Sequence, residues 1–167
     1  MNLSNTSKVC RKVKKILNDR TPLKKDCGTL CGKACCKGDS ETGMLLFPGE
    51  TTDLNIKNEG GFRLAVCNGK CNRDERPISC MFFPLFPTLD KNNKIKTVPD
   101  FRGYGLCPLV RHADEIEFSK RYLNAVRRAA EILVKNEECR DFILSVTEII
   151  NDSKKMIDTF TGGTENV

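Results

Sequence analysis

The distribution of cysteines is the feature that most constrains how this chain can fold. Eight of its ten cysteines fall in the middle of the sequence: Cys27, Cys31, Cys35, Cys36, Cys67, Cys71, Cys80 and Cys107. The first four are spaced Cys-x3-Cys-x3-Cys-Cys and lie in loops rich in glycine and lysine. Thiols at such short spacings can converge on one point. The sequence therefore predicts a zinc site, an iron–sulfur cluster or a set of disulfides.

The compartment favours metal over disulfides. The N-terminus has no apolar segment and no small-residue cleavage site, so we expect no secretory signal, and no apolar run approaches membrane-spanning length. We therefore expect a cytosolic protein that does not contact membranes. Clustered cysteines in the reducing cytosol bind metal more often than they pair. The net charge of +6 is moderate and does not by itself indicate nucleic acid. Structural disulfides and thiol redox chemistry remain as alternatives.

We expect an α+β fold in one domain, residues 1–160, followed by a disordered tail, 161–167. An amphipathic helix over 5–19 precedes an irregular, cysteine-rich metal-binding centre over 27–107. Helical periodicity over 114–160 predicts a hairpin that breaks at Asn136. The chain is long enough for an apolar core of its own, so metal is not its only source of stability.

Short strands are predicted inside the cysteine-rich centre. Apolar or alternating runs indicate strands over 44–47, 62–67 and 94–98. The segment 48–55 is expected to form a turn that leads into one or two helical turns. The aromatic and proline-rich run 81–87 is interpreted as core packing over the metal loops.

Two cysteines and the single histidine are set apart from this centre. Cys10 and Cys139 lie on the apolar stripes of predicted helices, where a free cysteine packs as a small hydrophobe. His112 is interpreted as a surface or capping residue. With one histidine the chain cannot build a catalytic zinc centre of two or three histidines.

Local sequence supports convergence of the remaining eight thiols. Asn68-Gly69, between Cys67 and Cys71, is a strong turn dipeptide. Cations flank the cysteines and either offset thiolate charge or are simply solvated loop residues: Lys33, Lys37, Lys70, Arg73 and Arg76. The adjacent pair Cys35-Cys36 is expected to point its side chains apart, so that one of them could serve a second site or the core. Eight thiolates allow two four-coordinate sites, or one site with spare cysteines.

The motifs resemble the zinc- or iron-chelating CxxCxxCC family of bacterial and archaeal cysteine-cluster proteins. The resemblance covers residues 27–87: the first cluster, the middle pair Cys67 and Cys71, and Arg76-Pro-Ile-Ser-Cys80 followed by Met-Phe-Phe-Pro. Both gaps in the first cluster are one residue longer than in the family pattern. The resemblance implies metal ligation by these residues: Cys31, Cys35, Cys36, Cys67, Cys71 and Cys80. Cys27 and Cys107 join them on the residue argument alone.

The function expected from this pattern is metal chelation by a cytosolic protein. Structural zinc is favoured because it suits all-cysteine tetrahedral sites and needs no assembly system; an iron–sulfur cluster is the alternative cofactor. The first alternative function is an iron–sulfur enzyme of redox or methyl-transfer chemistry, since flagellin lysine N-methylases carry a related motif. The second is a zinc-stapled adaptor for nucleic acid or protein, suggested by the basic helix face of Lys8, Arg11, Lys12 and Lys15.

Overall fold

Helices and short strands are mixed along the chain, which confirms the predicted α+β class. The computed structural model describes residues 3–36, 38–39 and 41–162. Its helices are α1 (Leu3–Leu17), α2 (Gly28–Cys31), α3 (Ile78–Phe82), α4 (Pro108–Arg111), α5 (Lys120–Leu133) and α6 (Glu137–Phe160). Its strands are β1 (Gly43–Leu45), β2 (Asn55–Glu59), β3 (Phe62–Val66), β4 (Leu85–Leu89) and β5 (Ile95–Pro99).

The helices α1, α5 and α6 build most of the apolar core together with α3 and β4. The buried stripe of α1 is formed by Cys10, Val13 and Leu17, which recur at helical spacing. The side chain of Asn136 accepts a hydrogen bond from the Cys139 N–H at 3.0 Å and so caps the start of α6. This cap sets the break between α5 and α6 where the sequence predicted it.

Two antiparallel sheets cover different parts of the molecule. Strands β1, β3 and β2 form a three-stranded sheet in that order, with β2 and β3 joined by the Gly60-Gly61 turn. Both glycines have positive φ, which a two-residue hairpin turn requires. Strands β4 and β5 form a separate pair, in which Leu85 lies opposite Pro99. Every residue of β4 is buried, whereas every residue of β2 is exposed.

Several boundaries differ from the sequence prediction. The helical hairpin predicted over 114–160 is wrong in its packing: α5 packs mainly on α1 and α6 mainly on β4, and the two helices make few contacts with each other. Helix α6 ends as expected, but α5 begins at Lys120 and not near residue 114, because Ala113–Glu115 forms a separate 3-10 turn. The helical turns expected within 48–55 were wrong: a turn at 48–49 leads to the exposed strand β2. Strand β4 was not predicted because it contains Pro87. A two-stranded ribbon tolerates proline, since one edge of each strand makes no ladder bonds.

Two observations complete the description of the fold: one concerns the residues after α6 and the other concerns membrane-spanning helices. Residues 161 and 162 form a turn after α6, and the remainder of the predicted tail, 163–167, lies outside the described residues. Among the helices that the structure describes, none combines the length and the apolar character needed to cross a membrane.

Candidate metal centre

The eight predicted ligands lie on loops and short helical turns, and none of them belongs to the main core cluster. Cys27 and Cys31 bracket α2, and Cys35 and Cys36 end a 3-10 turn over Ala34–Cys36. The other four are spread over later segments: Cys67 directly after β3, Cys71 in the following loop, Cys80 within α3 and Cys107 directly before α4. All eight are free thiols, of which Cys107 is buried and the others are half-buried.

Four of the thiols share one neighbourhood, here called the Cys107 group: Cys27, Cys31, Cys35 and Cys107. Cys27 packs against the small apolar cluster of Cys107, Leu109 and Val110. Burial raises the pKa of Cys27, and the nearby Cys107 and Cys31 raise it further. Burial also raises the pKa of Cys107, against the lowering effect of the Val110 and Leu109 N–H donors, and Cys31 raises it further. The packing of Cys27 places the first cluster beside the start of α4.

The other four thiols share a second neighbourhood, here called the Arg76 group: Cys36, Cys67, Cys71 and Cys80. Arg76 Nε donates a hydrogen bond to Cys71 Sγ at 3.5 Å. Burial raises the pKa of Cys80, and the thiols of Cys36, Cys67 and Cys71 raise it further, while Arg76 opposes the shift. Burial lowers the pKa of Arg76, but Cys71 and the charges of Cys36 and Cys80 outweigh it and raise that pKa overall. One guanidinium therefore faces three thiols.

The adjacent pair Cys35 and Cys36 is where the two groups meet. Their Sγ atoms are 3.8 Å apart, so the expectation that the side chains point apart was wrong. The pKa of Cys36 falls to about 6 because its thiolate accepts a hydrogen bond from Cys35, and Arg76 and Lys33 add to the effect. The same bond is the main cause that raises the pKa of Cys35. A thiolate is thus favoured at this position near neutral pH.

Backbone contacts hold the first cysteine loop against the second. Gly38 lies so close to the turn at Asn68 and Gly69 that a Cβ added to it would stand 2.5 Å from the Gly69 nitrogen. Beside it, the Cys67 N–H donates to Thr42 O at 3.0 Å and extends the β1–β3 pairing. Within the second loop, the Gly69 N–H donates to Cys67 Sγ at 3.4 Å. The predicted Asn-Gly turn therefore aims a backbone donor at a thiol.

A buried carboxylate, which the sequence did not single out, positions α3. Glu50 is 1% exposed and accepts the Ile78 N–H at 2.7 Å and the Phe47 N–H at 3.0 Å. Lys14 on α1 lies 3.5 Å from the same carboxylate. Burial raises the pKa of Glu50, against the lowering effect of Lys14 and of the two N–H donors. Because Ile78 begins the helix that carries Cys80, Glu50 connects the core to the cysteine segments. No sequence signal beyond a Pro-Gly-Glu turn marks it.

The donor chemistry suits a thiophilic metal, but the sulfur positions are not those of a closed site. Within residues 3–36, 38–39 and 41–162, no three side chains among His, Cys, Asp and Glu are arranged so that they could hold a metal ion. The thiols of each group influence one another electrostatically and still need to move inward to share a ligand. They are carried by short loops and single turns, which are the segments of a fold most able to make such a movement.

The remaining residues considered from sequence have other roles. Cys10 and Cys139 are 2% and 0% exposed, which confirms their prediction as core residues. His112 lies on the surface, 3.8 Å from Glu115. Of the flanking cations, Arg73 lies 3.8 Å from Asp19, Lys70 is exposed and Lys37 lies outside the described residues. Of the flanking cations that the structure describes, Arg76 and Lys33 lower the pKa of Cys36, and Arg111 outside this set acts on Cys107.

No family model, no curated protein and no solved structure matched this chain. The resemblance to the zinc- or iron-chelating family, which rests on the cysteine motifs, therefore stays a prediction.

Proposed function

We propose that this protein is a metal-binding protein in which the eight clustered cysteines chelate zinc or, as the alternative, an iron–sulfur cluster. The observation that carries the proposal is that free thiols from separate stretches of sequence are brought together, as Cys27 packs against the cluster of Cys107 and Arg76 contacts Cys71. All-thiolate donor sets select zinc and iron–sulfur clusters over harder cations. Zinc is preferred because four thiolates satisfy its tetrahedral coordination without further chemistry.

The charges around the thiols support this proposal. Four thiolates around a divalent ion leave a net charge of about −2, which is costly in a partly buried setting unless a cation lies near. Arg76 supplies such a cation by its contact with Cys71, and its pKa is raised rather than lowered overall. A thiolate is already favoured at Cys36. Metal binding requires deprotonated thiols, so both features favour it.

The decisive experiment is purification without oxygen, followed by measurement of metal content, acid-labile sulfide and the visible absorption spectrum. We expect a colourless protein that retains zinc. A brown protein with iron and sulfide would show that the cofactor is an iron–sulfur cluster and not zinc. It would favour the redox or methyl-transfer alternative. A protein that is isolated without metal, takes up neither zinc nor iron on reconstitution, and leaves all eight thiols free to alkylation in the presence of metal would overturn the proposal.

A further inference from the structure

We propose that the eight thiols form two separate metal sites, one made by the Cys107 group and the other by the Arg76 group. This inference rests on the proposed metal-binding function and deepens it, because the sequence left open how eight cysteines are divided. Each group contains four thiols, which is the number that fills a closed tetrahedral site. The division therefore leaves no spare cysteine and no open coordination position.

The Cys107 group is assembled by packing of the first cysteine loop on the start of α4. Cys27 contacts the apolar cluster that contains Cys107. Cys31 lies one helical turn after Cys27 on α2, and the Leu30 N–H donates to Cys27 O at 3.0 Å within that turn. Residues four apart in a helical turn lie on one face. Cys27 and Cys31 therefore approach Cys107 from the same side.

The Arg76 group is assembled by different contacts. Arg76 precedes α3, which carries Cys80, and its guanidinium holds Cys71 through the 3.5 Å hydrogen bond. The close approach of Gly38 to the Asn68-Gly69 turn brings the end of the first loop to Cys67. Cys36 lies two residues before Gly38 and is thereby placed near Cys67. No contact of this group involves α4 among the hydrogen bonds that the structure describes.

Cys35 and Cys36 are the junction between the two sites. Their 3.8 Å Sγ–Sγ separation also equals the edge of a tetrahedron with zinc–sulfur distances of about 2.3 Å, so both could in principle bind one ion. Their other neighbours decide between these arrangements. Cys35 lies nearer along the chain to Cys31, whereas Cys36 lies two residues before Gly38, which packs against the Asn68-Gly69 turn beside Cys67. The two sites are thus adjacent but use one cysteine of the pair each.

Paired substitutions distinguish two sites from one shared site. The probe is cobalt(II) alone, titrated without oxygen into metal-free protein and followed by the thiolate-to-cobalt absorption that reports tetrahedral sulfur coordination. The within-group pairs are Cys27→Ser with Cys31→Ser, and Cys67→Ser with Cys71→Ser. The cross-group pair is Cys31→Ser with Cys71→Ser. Cys139→Ala removes a core thiol outside both groups and serves as the control, and circular dichroism checks that α5 and α6 remain folded.

We expect the unaltered protein and the control to bind two cobalt ions per chain. Each within-group pair should bind one ion with unchanged affinity, since the other group is intact. The cross-group pair should retain no site of unchanged affinity, with a loss of at least about tenfold at both. In the background that lacks Cys67 and Cys71, Cys35→Ser should weaken the remaining site, whereas Cys36→Ser should leave it unchanged.

The outcomes separate this inference from the function on which it rests. A stoichiometry of one cobalt ion, or a within-group pair that weakens every site, would overturn the division while leaving metal binding intact. Equal weakening by Cys35→Ser and Cys36→Ser in the same background would overturn the assignment at the junction. An unaltered protein without thiolate-to-cobalt absorption would overturn the proposed function itself.

Discussion

The apolar core and the cysteine segments differ in how deeply their side chains are buried and in how long their helices are. In the core, α5 and α6 pack on β4 while α1 packs on α5 and α3. Large side chains such as Phe47, Phe86 and Tyr122 are almost completely buried. In the cysteine segments, every residue of α2 and of the Ala34–Cys36 turn is half-buried or exposed. Each of these helical pieces is a single turn, too short to be stable by itself.

This difference indicates where each region obtains its stability. Burial of apolar area at about 25 cal/mol per Å² can hold the core together without any ligand. The cysteine segments bury too little apolar area to offset a backbone entropy cost of about 1–2 kcal/mol per ordered residue. Their order depends on backbone contacts with β1, β3 and α3 and, in our proposal, on metal.

Metal removal should give the largest effect and should separate the two regions. Structural zinc contributes roughly 10–16 kcal/mol in small zinc-dependent modules. We expect a chelator to increase amide hydrogen exchange throughout residues 27–36 and 67–76 while α5 and α6 keep their protection. Mass spectrometry of exchanged peptides is the measurement. Unchanged exchange in the cysteine segments after complete metal removal would contradict the comparison.

Truncation of the core should affect the whole molecule. Phe47 is fully buried and its ring lies 4.4 Å from that of Phe142, measured between centroids. We expect Phe47→Ala to lower the free energy of unfolding by about 3–5 kcal/mol, because it removes a large apolar side chain and leaves a cavity. Denaturant unfolding of the metal-loaded protein measures this change. Ile56→Ala, at an exposed position of β2, is the control and should cost less than about 0.5 kcal/mol.

The ionisation of Glu50 should make the connection between the two regions sensitive to pH. Its folded-state pKa is raised above the ordinary value of 4.5, so the folded protein binds this proton more tightly than the unfolded chain. Stability from Glu50 is therefore fully present below pH 4.5 and decreases as pH rises through the folded pKa. Each unit of the shift corresponds to about 1.4 kcal/mol.

The measurement is the difference in unfolding free energy between the unaltered protein and Glu50→Gln, determined from pH 4.5 upward. We expect the unaltered protein to lose stability relative to the variant as pH rises. Both proteins are measured free of metal, so that metal release at low pH does not contribute to the difference. If the difference in unfolding free energy stays constant, or changes in favour of the unaltered protein as pH rises, then the pKa of Glu50 is not raised in the folded protein.

The most local effect should come from a single methyl group between the two cysteine loops. Gly38 has φ of +63° and its Cβ would meet the Asn68-Gly69 backbone, whereas Gly32 has φ of +59° and open space around it. Both Gly38→Ala and Gly32→Ala incur the strain of the left-handed backbone conformation, about 1–2 kcal/mol. Only Gly38→Ala should in addition weaken metal binding by the Arg76 group. Equal cobalt affinities in the two variants would show that the loops do not pack together here.

The sequence predicted the elements that depend on local periodicity. The stripe on α1, the break at Asn136 and the burial of Cys10 and Cys139 follow from apolar spacing and a capping side chain, which act within a few residues. The prediction was wrong where partners are distant in the chain. Strand β4 contains proline and is buried only because α5 and α6 cover it, and β2 is exposed and exists through pairing with β3.

Contacts between distant segments were also beyond the sequence prediction at the candidate site. Sequence alone determined that eight thiols lie on turn-rich segments and which two cysteines belong to the core, because residue type and short-range spacing carry that information. Only the tertiary structure decided that Cys27 meets Cys107, that Arg76 faces Cys71 and Cys80, and that Glu50 fixes α3. These contacts join segments that lie tens of residues apart. Their geometry results from how the core packs, and not from any local pattern.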